Sequence, residues 1–451
     1  MTFENIAKSI KGTMNDAAKK AQHTMIKGVS IDTRTISSGN LFIPFVGENV
    51  DGHRFIDKAF HLGAALSLTE RQGDLELLQP VILVENGLVA LQQLAETYLH
   101  IVNPKVVGIT GSNGKTTTKD MIECLLKPYF KVQKTLGNFN NEIGLPLTLL
   151  QLNRDTEVSI LEMGMDQTGD IDFLSKLTSP NIAVLTNVGE SHIEKLGSRE
   201  AIARGKYEIV NGLEPDGTFI YSGDYPLLNE LIKSDTPYKK VSAGIEAHND
   251  FIITDIVQTD SGTEFSMSGV ESPIHIPQLG LHNAKNAALA LQVAAAFGIL
   301  PNEVHHHFKD LKVTDMRMAQ TRLSNGALLI NDAYNASVSS MKSALDSIVN
   351  IEANARIVVL ADILELGDYT EELHQQVGAH INMLGDDISM VITHGRRARY
   401  IYDAVAHERK QHIDDVDAIA EYLKHSLNDR TVLLLKGSRG MKLEKIAEKL
   451  V

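Results

Sequence analysis

The apolar positions along this chain follow two periods. Between Leu88 and Val102, apolar residues fall at Leu88, Leu91, Leu94, Ala95, Tyr98, Leu99 and Val102. Steps of three and four predict a helix. Directly after it, "VVGIT" is an unbroken apolar run, and "VSILEMG", "IAVLTNVG" and "TFIYSGD" repeat that texture at intervals filled by helical patterns. Strands covered on both faces lose their polar alternation, so these runs predict a parallel sheet wound with helices. A stretch of shorter strands, roughly 251–276, interrupts the alternation before the helix "HNAKNAALALQVAAAFG". From about Thr314 the alternation resumes with "ALLINDAY", "RIVVLADIL", "MVITHG" and "TVLLLKGS". The first 86 residues carry short mixed elements, and Gly47, Asp51 and Gly52 mark turns in "LFIPFVGENVDGHRF".

A length of 451 residues exceeds one ordinary core and supports about three domains. Forty-three basic against fifty-seven acidic residues leave a net charge of −14, so no broad basic surface is at hand for nucleic acid. Any anionic ligand must be held locally. The single cysteine, Cys124, excludes an internal disulfide framework and a cysteine zinc site. The start, "MTFENIAKSIKGTMNDAAKK", lacks a signal-peptide core, and the longest apolar run, "AALALQVAAAFGIL", is too short to span a bilayer. The expectation is a cytoplasmic monomer with no membrane insertion.

One stretch carries explicit chemistry. "VVGITGSNGKTTTKDMI" reads as a strand, a glycine and hydroxyl loop, a lysine and a helix start. The usual phosphate loop has a glycine six residues before its lysine, where this chain has Ile109. Gly111 and Gly114 still allow a tight turn whose N–H groups face inward at a helix N-terminus. Lys115 then reaches the outer phosphates, and the Thr116 hydroxyl can ligate Mg²⁺. The expected fold is accordingly α/β in three domains: a small mixed N-terminal domain (1–86), a central P-loop parallel-sheet ATPase domain (87–313) and a C-terminal Rossmann-like domain (314–451).

Ligands of such sheets gather at the carboxyl ends of strands. Glu162 ends "VSILE" and suits a metal beside the loop, while His192 follows the third strand and, histidine being an uncommon Mg²⁺ ligand, reads by itself as a loop or core histidine. The absence of an Asn-Lys-x-Asp element argues against a guanine-nucleotide switch. Asn283 and Asn286 lie one turn apart at a helix start, where amides can read a base edge, and the adjacent His282 can as well cap that helix. Asp332, at the end of "ALLIND", suits ribose hydroxyls. Lys206 fits a helix-surface salt bridge to Glu208 or Glu200.

"TGSNGKTT", "GNFNNEIGLPLTLL", "LEMG", "TNVGESHIEKLGSREAIARGKYEI", "LGLHNAKNAALA", "NDAYNAS" and "LLLKGSRGMKLE" stand in this order in the chain. Together with "DTRTISSGNLFIPFVGENVDGHRF" they resemble the Mur ligases over nearly the whole length. The resemblance implies an ATP-dependent amide ligase. Such an enzyme phosphorylates the terminal carboxylate of UDP-N-acetylmuramoyl-tripeptide and lets the amine of D-alanyl-D-alanine displace the phosphate. It implies that Thr110, Gly111, Ser112, Asn113, Gly114, Lys115, Thr116 and Thr117 hold ATP phosphates. Asn283 and Asn286 then meet adenine, and Asp332, Tyr334 and the hinge residue Arg317 also contact the nucleotide. Two Mg²⁺ ions are implied, with Thr116 and Glu162 near one and His192 near the other. Lys206 aligns with a lysine that family members carry as a carbamate, an anionic ligand for the second ion.

For the other substrates, Asp32, Thr33, Arg34 and Gly47 resemble the UDP-binding region. Asn138, Asn140 and Asn141 resemble a loop around the acceptor, although asparagines crowd turns for backbone reasons too. Asn335, Lys436, Ser438 and Arg439 resemble residues facing the dipeptide or the reacting phosphate. Asp315, Ala319 and Ala361 depart from the family pattern and touch hinge and loop geometry, not a phosphate or metal group. A sister ligase for another amino acid, a folate-type ligase and an ATP-driven switch are the competing expectations. The region around "DTRTISSGNLFIPF" argues against the folate version, and a switch has no use for Glu162, His192 and Lys206 together.

Overall fold

The structure is a computed structural model that describes residues 1–259 and 261–451. Two compact units make up the chain. The first comprises Met1–Val106, Phe130–Met163 and Phe173–Ser179, and the second Val107–Tyr129, Gly164–Asp172 and Pro180–Val451.

The first unit holds a five-stranded sheet in the order Thr13–Met14, Val81–Leu83, Leu66–Thr69, Asn40–Phe42, Gly28–Ser30. All its pairings are parallel except that of the short edge strand Thr13–Met14. The helix predicted from Leu88 spans Gly87–Val102. The Asn86 side chain caps its start, accepting from Val89 N, and Asn103 stops it in left-handed backbone. Its apolar face, Leu91 and Leu94, packs with Leu41, Leu66, Leu68 and Ile82 of the sheet in one buried cluster. Each such side chain taken out of water contributes roughly 1.5–3 kcal/mol.

In the second unit the strands run Ile274–Ile276, Gly262–Met267, Phe251–Thr259, Lys239–Gly244, Thr218–Ser222, Ile182–Leu185, and then the strand ending at Thr110. The first two pairings are antiparallel and the others parallel, so the short strands expected near 251–276 form a meander on a parallel sheet. A further six-stranded sheet runs Ala319–Arg322, Leu328–Asp332, Thr431–Lys436, Ala355–Ala361, Met390–His394, Lys410–His412. Only Ala319–Arg322 is antiparallel in it, an edge strand that polar alternation did not announce. Among the described residues no single helix is long and apolar enough to cross a membrane.

Past Ala361 the chain turns on polar anchors. Asp362 Oδ1 accepts the N–H groups of Arg397 (2.9 Å) and Ala398 (2.7 Å). His374 Nε2 accepts Ile363 N–H at 3.1 Å, so its proton sits on Nδ1, 2.6 Å from Thr370 O. Burial pushes this imidazole below its ordinary value. Above about pH 6.5 both folded and unfolded states are neutral and stability is full. As pH falls through that value the unfolded histidine takes a proton that the folded one refuses, so stability declines. The urea midpoint of the parent is therefore expected to fall more between about pH 7 and about pH 5 than that of His374→Gln. Equal slopes would remove His374 as the cause.

Candidate active site

The strand buried through Val106–Thr110 delivers the loop, and the helix Lys115–Leu126 leaves it. Gly114 caps that helix with φ 80° and no side-chain cap, so no side chain competes for the first-turn N–H groups. Both loop glycines are demanded by space as well. A Cβ at Gly111 would collide with Thr186 Oγ1, and one at Gly114 would come within 2.7 Å of Asn286 Oδ1. Ile109 itself is fully buried in the strand, so the displaced glycine of the usual pattern is replaced by a core residue.

The turn after Ile182–Leu185 braces the loop. Asn113 N donates to Asn187 Oδ1 (2.9 Å), while Asn187 Nδ2 and Thr186 Oγ1 donate to Asn113 O (3.0 and 2.6 Å). Ser112 Oγ accepts Gly189 N–H at 2.8 Å. The Asn113 amide donates on to Ser337 (3.1 Å), the N-cap of helix Val338–Val349. Thr186, Asn187 and Ser337 were not singled out from sequence. The polar run "TNVGES" at a strand end was the available signal.

Lys115 Nζ donates to Gly111 O at 2.7 Å, which lays its charge over the loop. Thr116 is buried at the helix start. Lys206, on helix Arg199–Tyr207, is 1% exposed. The expected surface ion pair is absent: Glu208 accepts the N–H groups of Gly169 (3.0 Å) and Asp172 (3.3 Å) at the start of helix Asp170–Thr178. Burial, and then the Lys115 charge, hold the Lys206 amine well below the usual lysine range. Its helix turns inward at that position, because Ile202, Ala203, Gly205 and Lys206 form the buried face.

A pocket beside the loop is lined by Gly114, Asn283, Asn286, Arg317, Asp332 and Tyr334, together with Asn335 and Lys436. The amides at the start of helix Leu281–Ala296 are linked: Asn286 Nδ2 donates to Asn283 Oδ1 (3.2 Å), and Asn283 Nδ2 to Leu279 O (2.8 Å). His282 does not cap this helix. Gly280 is the N-cap, and burial pushes the His282 imidazole down to about 4. Arg317 lies over the Tyr334 ring, 4.1 Å from its centroid, with its buried Nε unpartnered among the described residues. Left-handed Met316 and Met318 on either side hold it there. Asp332 and Lys436 stand opposite each other on paired strands, 2.6 Å apart. Lys436 also donates to Asn335 O at 3.0 Å, so its charge is already matched. The pocket lining also includes Arg199 and Tyr225, which sequence reasoning passed over.

A second, adjoining hollow brings together Glu190, His192, Asn335, Glu365, Ser438 and Arg439. His192 caps the short helix Ile193–Leu196 in left-handed backbone. Its Nδ1 lies 3.0 Å from Glu365 Oε2 and 3.6 Å from Asp166 Oδ1. Cys124 is partly buried and donates to His307 O, which makes it a packed residue.

The remaining residues of interest lie in the first unit. Asp32 caps the turn Thr33–Thr35, and hydrogen bonds from Arg34, through its side chain first, hold the carboxyl down at about 2. Gly47 N donates to Val50 O (2.9 Å) in a loop pinned by Asp51. Asp51 accepts from His53 N and Nδ1 (2.9 and 2.8 Å) and pairs with Arg71. Asn141 accepts Gly144 N–H at 2.9 Å and so starts helix Gly144–Leu149, whereas Asn138 is exposed and Asn140 half-buried. Glu162 ends strand Val158–Glu162 at 3% exposure, its N–H bonded to Thr135 Oγ1.

A strand, a glycine-flanked loop, a lysine, an inward amide pair and a stacked arginine define a nucleotide-handling site. Family models for the Mur ligase middle domain (109–294), the Mur ligase glutamate ligase domain (316–439) and the Mur ligase family catalytic domain (25–99) match the chain, and it belongs to the Mur ligase family. Among its relatives, the UDP-N-acetylmuramoyl-tripeptide--D-alanyl-D-alanine ligase of Bacillus subtilis is 44% identical over 100% of this chain and 98% of its own. Of solved structures, MurF from Acinetobacter baumannii is 25% identical with a TM-score of 0.90, covering 100% of this chain and 98% of that one. MurF from Thermotoga maritima in complex with ADP is 28% identical with a TM-score of 0.84, over 94% and 96%.

Proposed function

We propose that this chain is an ATP-dependent ligase that joins D-alanyl-D-alanine to UDP-N-acetylmuramoyl-tripeptide in peptidoglycan synthesis, releasing ADP and phosphate. What carries the reading is the convergence of loop, amide pair and Arg317 on one pocket, in a chain 44% identical end to end to a ligase of that name. The tripeptide carboxylate attacks the γ-phosphorus and ADP leaves. The dipeptide amine then attacks the acyl carbon, phosphate departs and the amine proton goes to solvent. The protein's share is charge neutralisation and positioning.

Thr110 to Thr117 take the phosphates, with Lys115 supplying the positive charge. Asn283 and Asn286 take adenine, and the unpartnered Arg317 Nε is a donor suited to a nucleotide oxygen. Asp332 and Tyr334 complete the nucleotide pocket. Asn335, Ser438 and Arg439 serve the dipeptide, where a guanidinium matches the terminal carboxylate. Lys436 acts by holding Asp332 and the 335 turn. The UDP contacts Asp32, Thr33, Arg34 and Gly47, and the acceptor contacts Asn138, Asn140 and Asn141, rest on the family pattern.

Mg²⁺ fits the donors present. Thr116 and Glu162 offer hard oxygens, and among the described residues no three His, Cys, Asp or Glu side chains converge into a protein-only cage. Mg²⁺ ordinarily takes one or two protein oxygens and completes its shell with phosphates and water. When bound, it neutralises charge on the phosphates being transferred. By the family pattern, Thr116, Glu162, His192 and a carbamylated Lys206 would hold two such ions. The domains are assigned as 1–86 for the UDP substrate, 87–313 for ATP and 314–451 for the dipeptide and further nucleotide contacts, in a cytoplasmic monomer.

Purified protein is expected to release phosphate from ATP only when both UDP-N-acetylmuramoyl-tripeptide and D-alanyl-D-alanine are present. Undiminished hydrolysis without them, or turnover with a free amino acid instead, sinks the reading. The same assay with lysine and with a diamino diacid at the third peptide position reads out that preference.

A further inference from the structure

A dipeptide brings a carboxylate at one end and an amino group at the other, and an α-amino group titrates near about 8, so at neutral pH it arrives mostly as ammonium. Arg439 matches the carboxylate. The hollow that Arg439 lines also holds two carboxylates, Glu190 and Glu365, and they differ in enclosure. The Glu365 side chain is 58% exposed, whereas that of Glu190 is 12% exposed. Solvent and salt screen an enclosed charge less, so Glu190 is the better partner for a cation.

Glu190 is also the better placed of the two. Gly189 N–H donates to Ser112 Oγ at 2.8 Å and Ser191 Oγ donates to Ser112 O at 3.3 Å, so the residues on both sides of Glu190 are tied to the phosphate loop. A Cβ at Gly189 would come within 3.0 Å of Ser339 Oγ, which sets the start of helix Val338–Val349 against the same turn. The carboxylate stands where the two hollows adjoin: Asn335 lines both, and Arg199 of the nucleotide pocket lies beside it. Its protein partners are distant ones. Ser339 N–H reaches Oε2 at 3.4 Å, and Arg199 Nε stands 3.7 Å from Oε1. Both contacts are long for their kind and leave room on a group with about four lone-pair sites.

We infer that Glu190 receives the amino group of D-alanyl-D-alanine, with the dipeptide lying across the hollow from Arg439 to the edge of the phosphate loop. This rests on the ligase reading. The carboxylate pairs with the arriving ammonium, which gives one proton to solvent to become the nucleophile. As the nitrogen lone pair forms the N–C bond to the acyl carbon, positive charge grows on nitrogen, and a fixed anion stabilises it there. The C–O bond to phosphate then breaks, its electron pair leaves with phosphate, and the nitrogen releases a second proton to solvent.

Hydroxylamine, a nucleophile that is neutral near pH 7 and needs no anionic partner, separates this role from phosphoryl transfer. Phosphate release with ATP and UDP-N-acetylmuramoyl-tripeptide is measured once with D-alanyl-D-alanine and once with hydroxylamine. Glu190→Gln keeps an oxygen for Ser339 N–H, so the fold is retained. With the dipeptide, this variant is expected to show a KM about tenfold higher and a kcat about a hundredfold lower, while release with hydroxylamine stays within about twofold of the parent. The KM defect shrinks as pH rises above about 8, where the dipeptide is no longer a cation. An unchanged dipeptide KM in Glu190→Gln, or an equal loss with both nucleophiles, overturns the inference and leaves the ligase reading standing. A parent without dipeptide-dependent phosphate release strikes the ligase reading itself.

Discussion

Lys115→Ala is expected to lower ATP-dependent turnover at least about a thousandfold, while the protein unfolds near the parent's temperature. The two halves of that expectation have different causes. In turnover, charge builds on the phosphoryl oxygens in the transition state, and a fixed cation at the loop acts there without reorganisation. In the resting fold Lys115 makes a charge-assisted bond to Gly111 O at 2.7 Å. Losing such a bond costs about 1.5–3 kcal/mol at most, because water replaces it at a half-buried position. Steady-state phosphate release with both acceptors, set beside a thermal melt, checks both halves. Retained turnover removes the loop assignment, and a collapsed melt makes Lys115 structural.

The second large effect concerns Lys206. With its amine held well below the usual lysine range by burial and then by Lys115, the neutral form that attacks carbon dioxide is more available than in an exposed lysine. The nitrogen lone pair forms the N–C bond, one C=O electron pair moves to oxygen, and an N–H proton passes to water. An anionic carbamate results. Protein equilibrated with ¹³C-enriched bicarbonate is expected to show a carbamate resonance that Lys206→Met lacks, and Lys206→Met is expected to lose at least about a hundredfold in turnover. Methionine fills similar volume without a buried amine, so the variant is also expected to melt at or above the parent's temperature. A missing resonance together with near-parent turnover would end the carbamate proposal.

The strand runs and the long helices were legible because burial on both faces leaves an unbroken apolar signature. "VVGIT", "VSILEMG", "IAVLT" and "TVLLLK" each became a strand, and the helix from Leu88 appeared within a residue of its expected start. Ala319–Arg322 was not legible, because an edge strand needs no apolar face. The loop's residues were legible because their φ and spacing demand glycine. Its brace by Asn187 and Thr186 was not, since a hydrogen bond across 73 or 74 positions leaves no local pattern. Lys206 shows the same limit from the other side. Beside Glu200 and Glu208 the sequence suggests an exposed pair, and only the inward face of its helix reveals a buried amine. Lys436 resembles a residue facing the dipeptide or the reacting phosphate, and only the strand register sets it opposite Asp332.

The glycine at 111 has a consequence for chemical intervention. Because any side chain there would strike Thr186, that part of the wall is bare backbone that a point mutation cannot decorate. An inhibitor that grips the main-chain amides at Gly111 therefore leans on a surface with almost no route to resistance by substitution. One that relies on the side chains of Arg199 or Tyr225, which line the pocket beside the loop, meets positions free of that constraint.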